Sequence, residues 1–238
     1  MTKNKWSKFT LLELLIVIAL VGILLSILLP SLQNARHKAM VTVCNSNLNQ
    51  IGKANHLYLA ENNQSFYKTS TNTAYTYFGS GGNGVEVRVG TNRNTVTQRP
   101  LNKYLGYTDD SQTVTVGICP LNSGGAPKFD YLPAYGTSYH VSARNSGSFR
   151  NDLDGDNSLN TPAMKLAKVN DSSVMVFASS SGTWHTAYYG KDNNYSSDNH
   201  GKSMFTLNFV DGHNSIKKII QGTGMSHSRD EIDFSNAN

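Results

Sequence analysis

The feature that most constrains this chain is an uninterrupted apolar run near its amino terminus. No charged residue falls between Glu13 and Arg36, and residues 14–29 are strongly apolar at every position except one Gly and one Ser. As a helix, residues 9–30 would be about 33 Å long at the usual rise per residue, which matches the thickness of a bilayer's hydrocarbon core. The run therefore predicts a single membrane span.

The charges around this run predict its orientation. Lys3, Lys5 and Lys8 precede it with no acidic residue among them, and a long polar chain follows it. Because positive charge accumulates on the cytoplasmic side of a membrane span, the amino terminus should be cytoplasmic and the body exported. The remaining basic residues are dispersed, so the chain lacks the basic patch that a nucleic-acid-binding protein presents, and we expect no nucleic-acid partner.

Glu13 helps to distinguish between the possible functions of the apolar run. A secretory signal peptide is disfavoured because residues 30–35 offer a poor small-residue cleavage pattern. A plain membrane anchor explains everything except this carboxylate, which is costly in lipid and calls for a partner.

The segment from Lys8 to Leu15, Lys-Phe-Thr-Leu-Leu-Glu-Leu-Leu, resembles the cleavage and methylation motif of type IV prepilins and of type II secretion pseudopilins. The resemblance implies cleavage between Lys8 and Phe9, methylation of Phe9, and pairing of Glu13 with a neighbouring subunit's amino terminus during assembly. Pro30 falls where many such helices are kinked. One departure is that this chain has Lys8 where the family usually has Gly, sometimes Ala.

The same resemblance implies a structural protein rather than an enzyme. Its partners would be copies of itself or other pilin-like subunits, a prepilin peptidase and an inner-membrane assembly platform. It would start as a single-pass inner-membrane protein with an exported head and end in a periplasmic or extracellular filament. The alternative is an unprocessed, membrane-anchored binding module, for which Lys8 is the main argument. An enzyme is disfavoured because no nucleophile and base stand together in the sequence.

The expected fold is α+β, a pilin-like lollipop whose long amino-terminal helix packs on an antiparallel β-sheet head with long loops. Beyond Pro30 an apolar stripe with spacings of three and four predicts that the helix continues to about Glu61. The stripe consists of Val41, Cys44, Leu48, Ile51, Asn55 and Tyr58. The predicted parts are a leader (1–8), a transmembrane and assembly helix (9–30), an amphipathic helix (31–62) and a β-rich head (63–238).

Alternating residues predict strands at 74–78 and 84–89. Further strand candidates are residues 112–118, 173–178, 204–210 and 213–220. The last two form the clearest hairpin, joined by Asp211-Gly212, a pair that suits a tight turn with both central residues at positive φ.

His200, Asp211 and Gly212 extend the resemblance into the head. Segments 44–52, 99–105 and 118–120 are similar to a subgroup of prepilin-type proteins whose carboxy-terminal signature is a His, nine residues and Asp-Gly. Here ten residues separate His200 from Asp211. Turn geometry and local hydrogen bonding account for these residue types, so we assign them a structural role.

Two further sets of residues remain open from the sequence. Asp152, Asp154 and Asp156 alternate along a polar segment and could bind calcium, although Ala163 stands where an EF-hand loop has its bidentate Glu, and a solvated turn is the alternative. Cys44 and Cys119 both lie on the exported side, where a disulfide is permitted. Two separately buried thiols are equally compatible with the sequence.

Overall fold

The computed structural model describes seven parts of the chain: residues 10–67, 77–80, 95–123, 136–141, 165–168, 176–180 and 204–218. Two compact units are present, Met1–Ala39 and Met40–Asn238. The predicted strand at 84–89 and residues 1–9 lie outside the described residues.

The first unit contains the beginning of helix α1, which spans Leu11–Glu61. The large apolar side chains from Leu11 to Leu32 are exposed, with exposed fractions between 47% at Val21 and 79% at Leu11. In length and composition the helix is sufficient to cross a membrane. It continues through Pro30 without ending there, and the kink at this residue stays a prediction.

The second half of α1 belongs to the second unit, and the apolar stripe of the helix packs into the core of that unit. The stripe residues Cys44, Leu48, Ile51 and Asn55 are buried, whereas Val41 and Tyr58 are half-buried. The helix ends at Glu61, where the sequence predicts its end. The amphipathic pattern therefore identified the packed face correctly.

Among the described residues of the second unit, four strands form one antiparallel sheet. Their order follows the chain, with each strand paired to the next. The strands are β1 (Tyr139–Val141), β2 (Val176–Ser180), β3 (Met204–Phe209) and β4 (Asn214–Lys218). This sheet and the long helix confirm the α+β class, and β3 and β4 confirm the predicted hairpin.

The core of the second unit joins the helix to the sheet and to the segments between them. Aromatic side chains dominate it, including Phe66, Tyr77, Phe78, Tyr139 and Phe177, each at most 1% exposed. Burial of such large rings contributes to the hydrophobic stabilisation of this unit.

The strand predicted at 112–118 is wrong. Thr115–Gly117 form a 3-10 helix instead, in which the Gly117 and Ile118 N–H groups donate to the Val114 and Thr115 carbonyls. Gly117 lies close to Gly79, since an added Cβ would be 3.3 Å from the Gly79 Cα. The two bonds of this turn are local, whereas the Gly117 carbonyl accepts a bond from the distant Ser138 N–H at 2.7 Å. The segment is therefore a turn held by long-range contacts, although its alternating residue pattern resembles that of a strand.

The strand predicted at 74–78 is wrong at the two residues described, Tyr77 and Phe78, which lie in a bend. Their carbonyls accept hydrogen bonds from the Leu101 N–H (3.0 Å) and from the Arg99 guanidinium. Packing against the 95–106 segment therefore replaces strand pairing here.

Candidate functional site

Glu13 lies in the first turn of α1 and forms a capping box with Thr10. The Thr10 N–H and hydroxyl both donate to Glu13 Oε2, at 2.9 and 2.8 Å, and the Glu13 N–H donates to the Thr10 hydroxyl at 3.2 Å. Each residue thus satisfies a backbone donor of the other. The arrangement stabilises the helix start and gives the carboxylate local partners.

This geometry adds a role for Glu13 that the sequence reasoning missed. The Thr-x-x-Glu spacing of residues 10–13 is the sequence signature of a capping box and would have revealed it. Unpaired backbone N–H groups at a helix start are especially costly next to lipid, where no water replaces the lost bonds. The Thr10 N–H and hydroxyl both donate to Oε2 of Glu13. The other carboxylate oxygen, Oε1, offers a second acceptor for a cation.

Lys8 and Phe9, the predicted cleavage and methylation residues, lie outside the described residues. Their roles stay predictions.

Cys44 and Cys119 form a disulfide, the first of the two arrangements that the sequence left open. The two Cα atoms are 5.0 Å apart, and both side chains are at most 1% exposed. The bridge ties α1 to the segment just after the 3-10 helix Thr115–Gly117. Asn47 adds a second tie beside it, donating from Nδ2 to the Ile118 carbonyl at 3.0 Å.

The β3–β4 hairpin is held against α1 by a group of Asn side chains, which we call the amide seam: Asn45, Asn208 and Asn214. Asn214 Nδ2 donates to the Asn45 carbonyl (2.8 Å) and to Asn45 Oδ1 (3.0 Å), while Asn208 Nδ2 donates to Asn214 Oδ1 (2.6 Å). Gly52 faces Asn208 so closely that a Cβ there would be 2.5 Å from Asn208 Nδ2. The sequence reasoning did not identify this seam.

Asp211 and Gly212 form the tip of the same hairpin, as expected, but with a different turn. Gly212 has a φ of 94°, whereas Asp211 does not have positive φ, so the prediction that both would is wrong. The Gly212 N–H donates to the Phe209 carbonyl, and the Phe209 N–H donates to the His213 carbonyl, each at 2.9 Å. This is the pattern of a three-residue loop closed by a Gly bulge, which requires positive φ at the Gly alone.

The Asp211 carboxylate has a local structural role in this tip. It accepts a hydrogen bond from the His213 N–H at 3.0 Å and lies 2.6 Å from His213 Nδ1. His200, the third residue of the predicted motif, lies outside the described residues.

Arg99 and Asn102, the first and last residues of the Arg-Pro-Leu-Asn segment, have structural roles. Asn102 is fully buried: Oδ1 accepts from the Gly79 N–H, and Nδ2 donates to the Gly79 and Val96 carbonyls. Arg99 donates to the Phe78 carbonyl. Desolvation by burial lowers the pKa of its guanidinium to about 10, and this value is still high enough for the group to be cationic at neutral pH. These two side chains link the bend at Tyr77–Ser80 to the 95–106 segment.

The calcium prediction rests on Asp152, Asp154 and Asp156, which lie outside the described residues, so it stays a prediction. Within the parts that are described, no three His, Cys, Asp or Glu side chains come together as metal ligands would.

Comparison with known proteins gives a partial similarity. A stretch of 55 residues, 23% of this chain, is 47% identical to the Type IV wide pilus major component PilA4 of Thermus thermophilus. The aligned part covers 42% of that protein, so the chain spans less than half the length of the relative. No protein-family model matches the chain, and no solved structure matches it.

This similarity supports the interpretation of the chain as pilin-like. It favours a structural protein over an enzyme, and it agrees with the apolar amino-terminal helix as a membrane-anchoring segment.

Proposed function

We propose that the chain is a structural subunit of a type IV pilus or of a related pseudopilus, cleaved before Phe9 and polymerised through its amino-terminal helix. The observation that carries the proposal is the amino-terminal part of α1, whose large apolar side chains are exposed and whose one acidic residue is Glu13. The partial identity to a pilin also supports it. In this function the apolar helices of neighbouring subunits cover one another.

The resemblance to prepilins implies an assembly role for Glu13, and electrostatics agrees with it. In a low-dielectric environment a lone carboxylate is costly, and a cationic group beside it offsets that cost. The capping box uses Oε2, which leaves Oε1 to receive the new amino terminus of a neighbouring subunit. Partners in this process would be other pilin-like subunits, a prepilin peptidase and an inner-membrane assembly platform.

Protein isolated from its native host should begin at Phe9 with a methylated amino group, because the Phe-Thr-Leu-Leu-Glu sequence matches the prepilin motif. Mass analysis of the amino-terminal peptide measures this directly. A Lys8→Gly variant, which restores the residue common in prepilins, should be cleaved at least as completely. Retention of Met1 in the mature protein would contradict processing and favour the anchored binding module, whose leader is kept.

Two variants separate the charge of Glu13 from its capping role. Glu13→Gln keeps an amide oxygen that can accept from the Thr10 N–H, whereas Glu13→Ala removes both the charge and the cap. We expect both variants to insert into the membrane but to be depleted at least tenfold from sheared filaments. The measurement is immunodetection of the subunit in membrane and filament fractions.

The Glu13→Gln variant decides the outcome. If it enters filaments as well as the parent chain while Glu13→Ala does not, Glu13 acts as a helix cap only. If both variants assemble normally, Glu13 has no role in assembly.

A further inference from the structure

The turn that follows α1 contains a glycosylation motif. Asn63-Gln64-Ser65 has the Asn-x-Ser pattern of an N-glycosylation acceptor, with a residue other than Pro in the middle. Glu61 stands two places before the Asn. The pattern lies in the part of the chain that is exported in the function proposed above.

The backbone of the turn presents Asn63 to solvent. Asn63 and Gln64 are exposed and have positive φ values of 53° and 56°. Backbone bonds stabilise this shape, since the Gln64 N–H donates to the Leu59 carbonyl (2.9 Å) and the Ser65 N–H donates to the Asn62 carbonyl (3.0 Å). The turn therefore does not need the Asn63 side chain to keep its shape, and a reactive amide there is accessible to an enzyme.

The neighbouring Asn62 provides a comparison. It is half-buried, and its Nδ2 donates to the Tyr58 carbonyl at 2.8 Å, which closes the end of the helix. Asn62 also lacks a Ser or Thr two places later. Sequence and geometry thus both select Asn63 over the amide beside it.

Ser65 of the motif and the nearby Glu61 have defined surroundings. The half-buried Ser65 forms an isolated β-bridge with Lys165, and its hydroxyl lies 3.5 Å from the Asn63 carbonyl. That distance is too long for a strong hydrogen bond, so this contact does not hold the hydroxyl. The Glu61 side chain is 61% exposed, and its carboxylate lies 3.1 Å from Lys103 Nζ. Hydrogen bonds from Tyr104 and Lys103 lower the pKa of Glu61, so that it is anionic at neutral pH.

We propose that Asn63 is an N-glycosylation site in the exported protein. Asn63 Nδ2 would form a bond to the anomeric carbon of a sugar carried on a polyprenyl diphosphate. The bond between that carbon and the diphosphate oxygen would break, the diphosphate would leave with the bonding electron pair, and one amide proton would pass to a base of the transferase. The inference needs the export in the function proposed above but does not need filament assembly.

The test is mass analysis of the full chain from its native host after trypsin digestion. Cleavage after Lys53 and Lys68 isolates one peptide, residues 54–68, that contains this motif. We expect this peptide to carry a mass increment made of hexose-type units, localised by fragmentation to Asn63. Both Asn63→Gln and Ser65→Ala should abolish the increment, the second while keeping the Asn.

Asn62→Gln is the matched control and should keep the increment. A peptide 54–68 that is unmodified in the native protein, or an increment that survives in Ser65→Ala, would overturn the proposal. Export is measured on the same cells by the accessibility of the body to added protease. An exported but unmodified protein overturns the glycosylation site alone, whereas a body that is not exported overturns the proposed function together with it.

Discussion

Replacing both Cys44 and Cys119 with Ala is expected to lower the free energy of unfolding by about 4 kcal/mol, because the disulfide closes a loop over a sequence separation of 75 residues. Without the bridge, the unfolded chain gains the conformational freedom of that loop. Ala preserves the apolar character of two positions that are at most 1% exposed. The measurement is denaturant unfolding of the full chain in detergent, followed by near-ultraviolet circular dichroism.

Asn47→Ala serves as the comparison, since it removes a neighbouring hydrogen bond between α1 and Ile118 but keeps the disulfide. That variant should lose only about 1 kcal/mol, the usual net value of one hydrogen bond. A double Ala variant whose free energy of unfolding lies within about 1 kcal/mol of the parent's would show that the bridge contributes little to stability.

Gly52→Ala is expected to lower the free energy of unfolding by about 2 kcal/mol, although Ala is by itself the better helix former by about 1 kcal/mol. The added Cβ would lie 2.5 Å from Asn208 Nδ2 and 2.8 Å from Asn208 Cγ, so the buried amide must move. Moving it breaks the bond to Asn214 and leaves polar groups unpaired, which outweighs the gain in helix propensity.

Two variants test this explanation. Gly22→Ala makes the same change in the same helix at a place where nothing lies within 4 Å of the new Cβ, and it should not weaken the second unit. Combining Gly52→Ala with Asn208→Ala removes the Asn208 amide that the new Cβ would meet, so the pair should cost less than the sum of the single changes. If Gly52→Ala instead stabilises the protein, the contact with Asn208 does not constrain the fold.

The hairpin and the segment at 112–118 show where sequence patterns succeed and where they fail. Residues 204–210 and 213–220 are two strand-like stretches with Asp-Gly between them, so local information suffices to predict strands β3 and β4. Residues 112–118 have a regular strand-like alternation, yet part of this segment is a 3-10 helix next to the disulfide. Its conformation depends on contacts with Gly79 and with α1, which are distant in sequence.

Glu13 also shows what the sequence predicts and what only the structure adds. Its isolation in an apolar run is visible in the sequence and indicates a carboxylate that needs a partner. The structure adds that Thr10 provides partners within the same helix turn. The charge of Glu13 and its capping role are therefore separable only by a variant such as Glu13→Gln.

The sequence by itself determined the long apolar helix, its end at Glu61 and the hairpin, because each depends on residues that are close together in the chain. The tertiary structure alone decided the pairing of Cys44 with Cys119 and the fit of Gly52 against Asn208. Both contacts join residues far apart in sequence, and no local pattern encodes which distant side chain will lie opposite. They exist only because the core brings the helix, the hairpin and the 3-10 segment together.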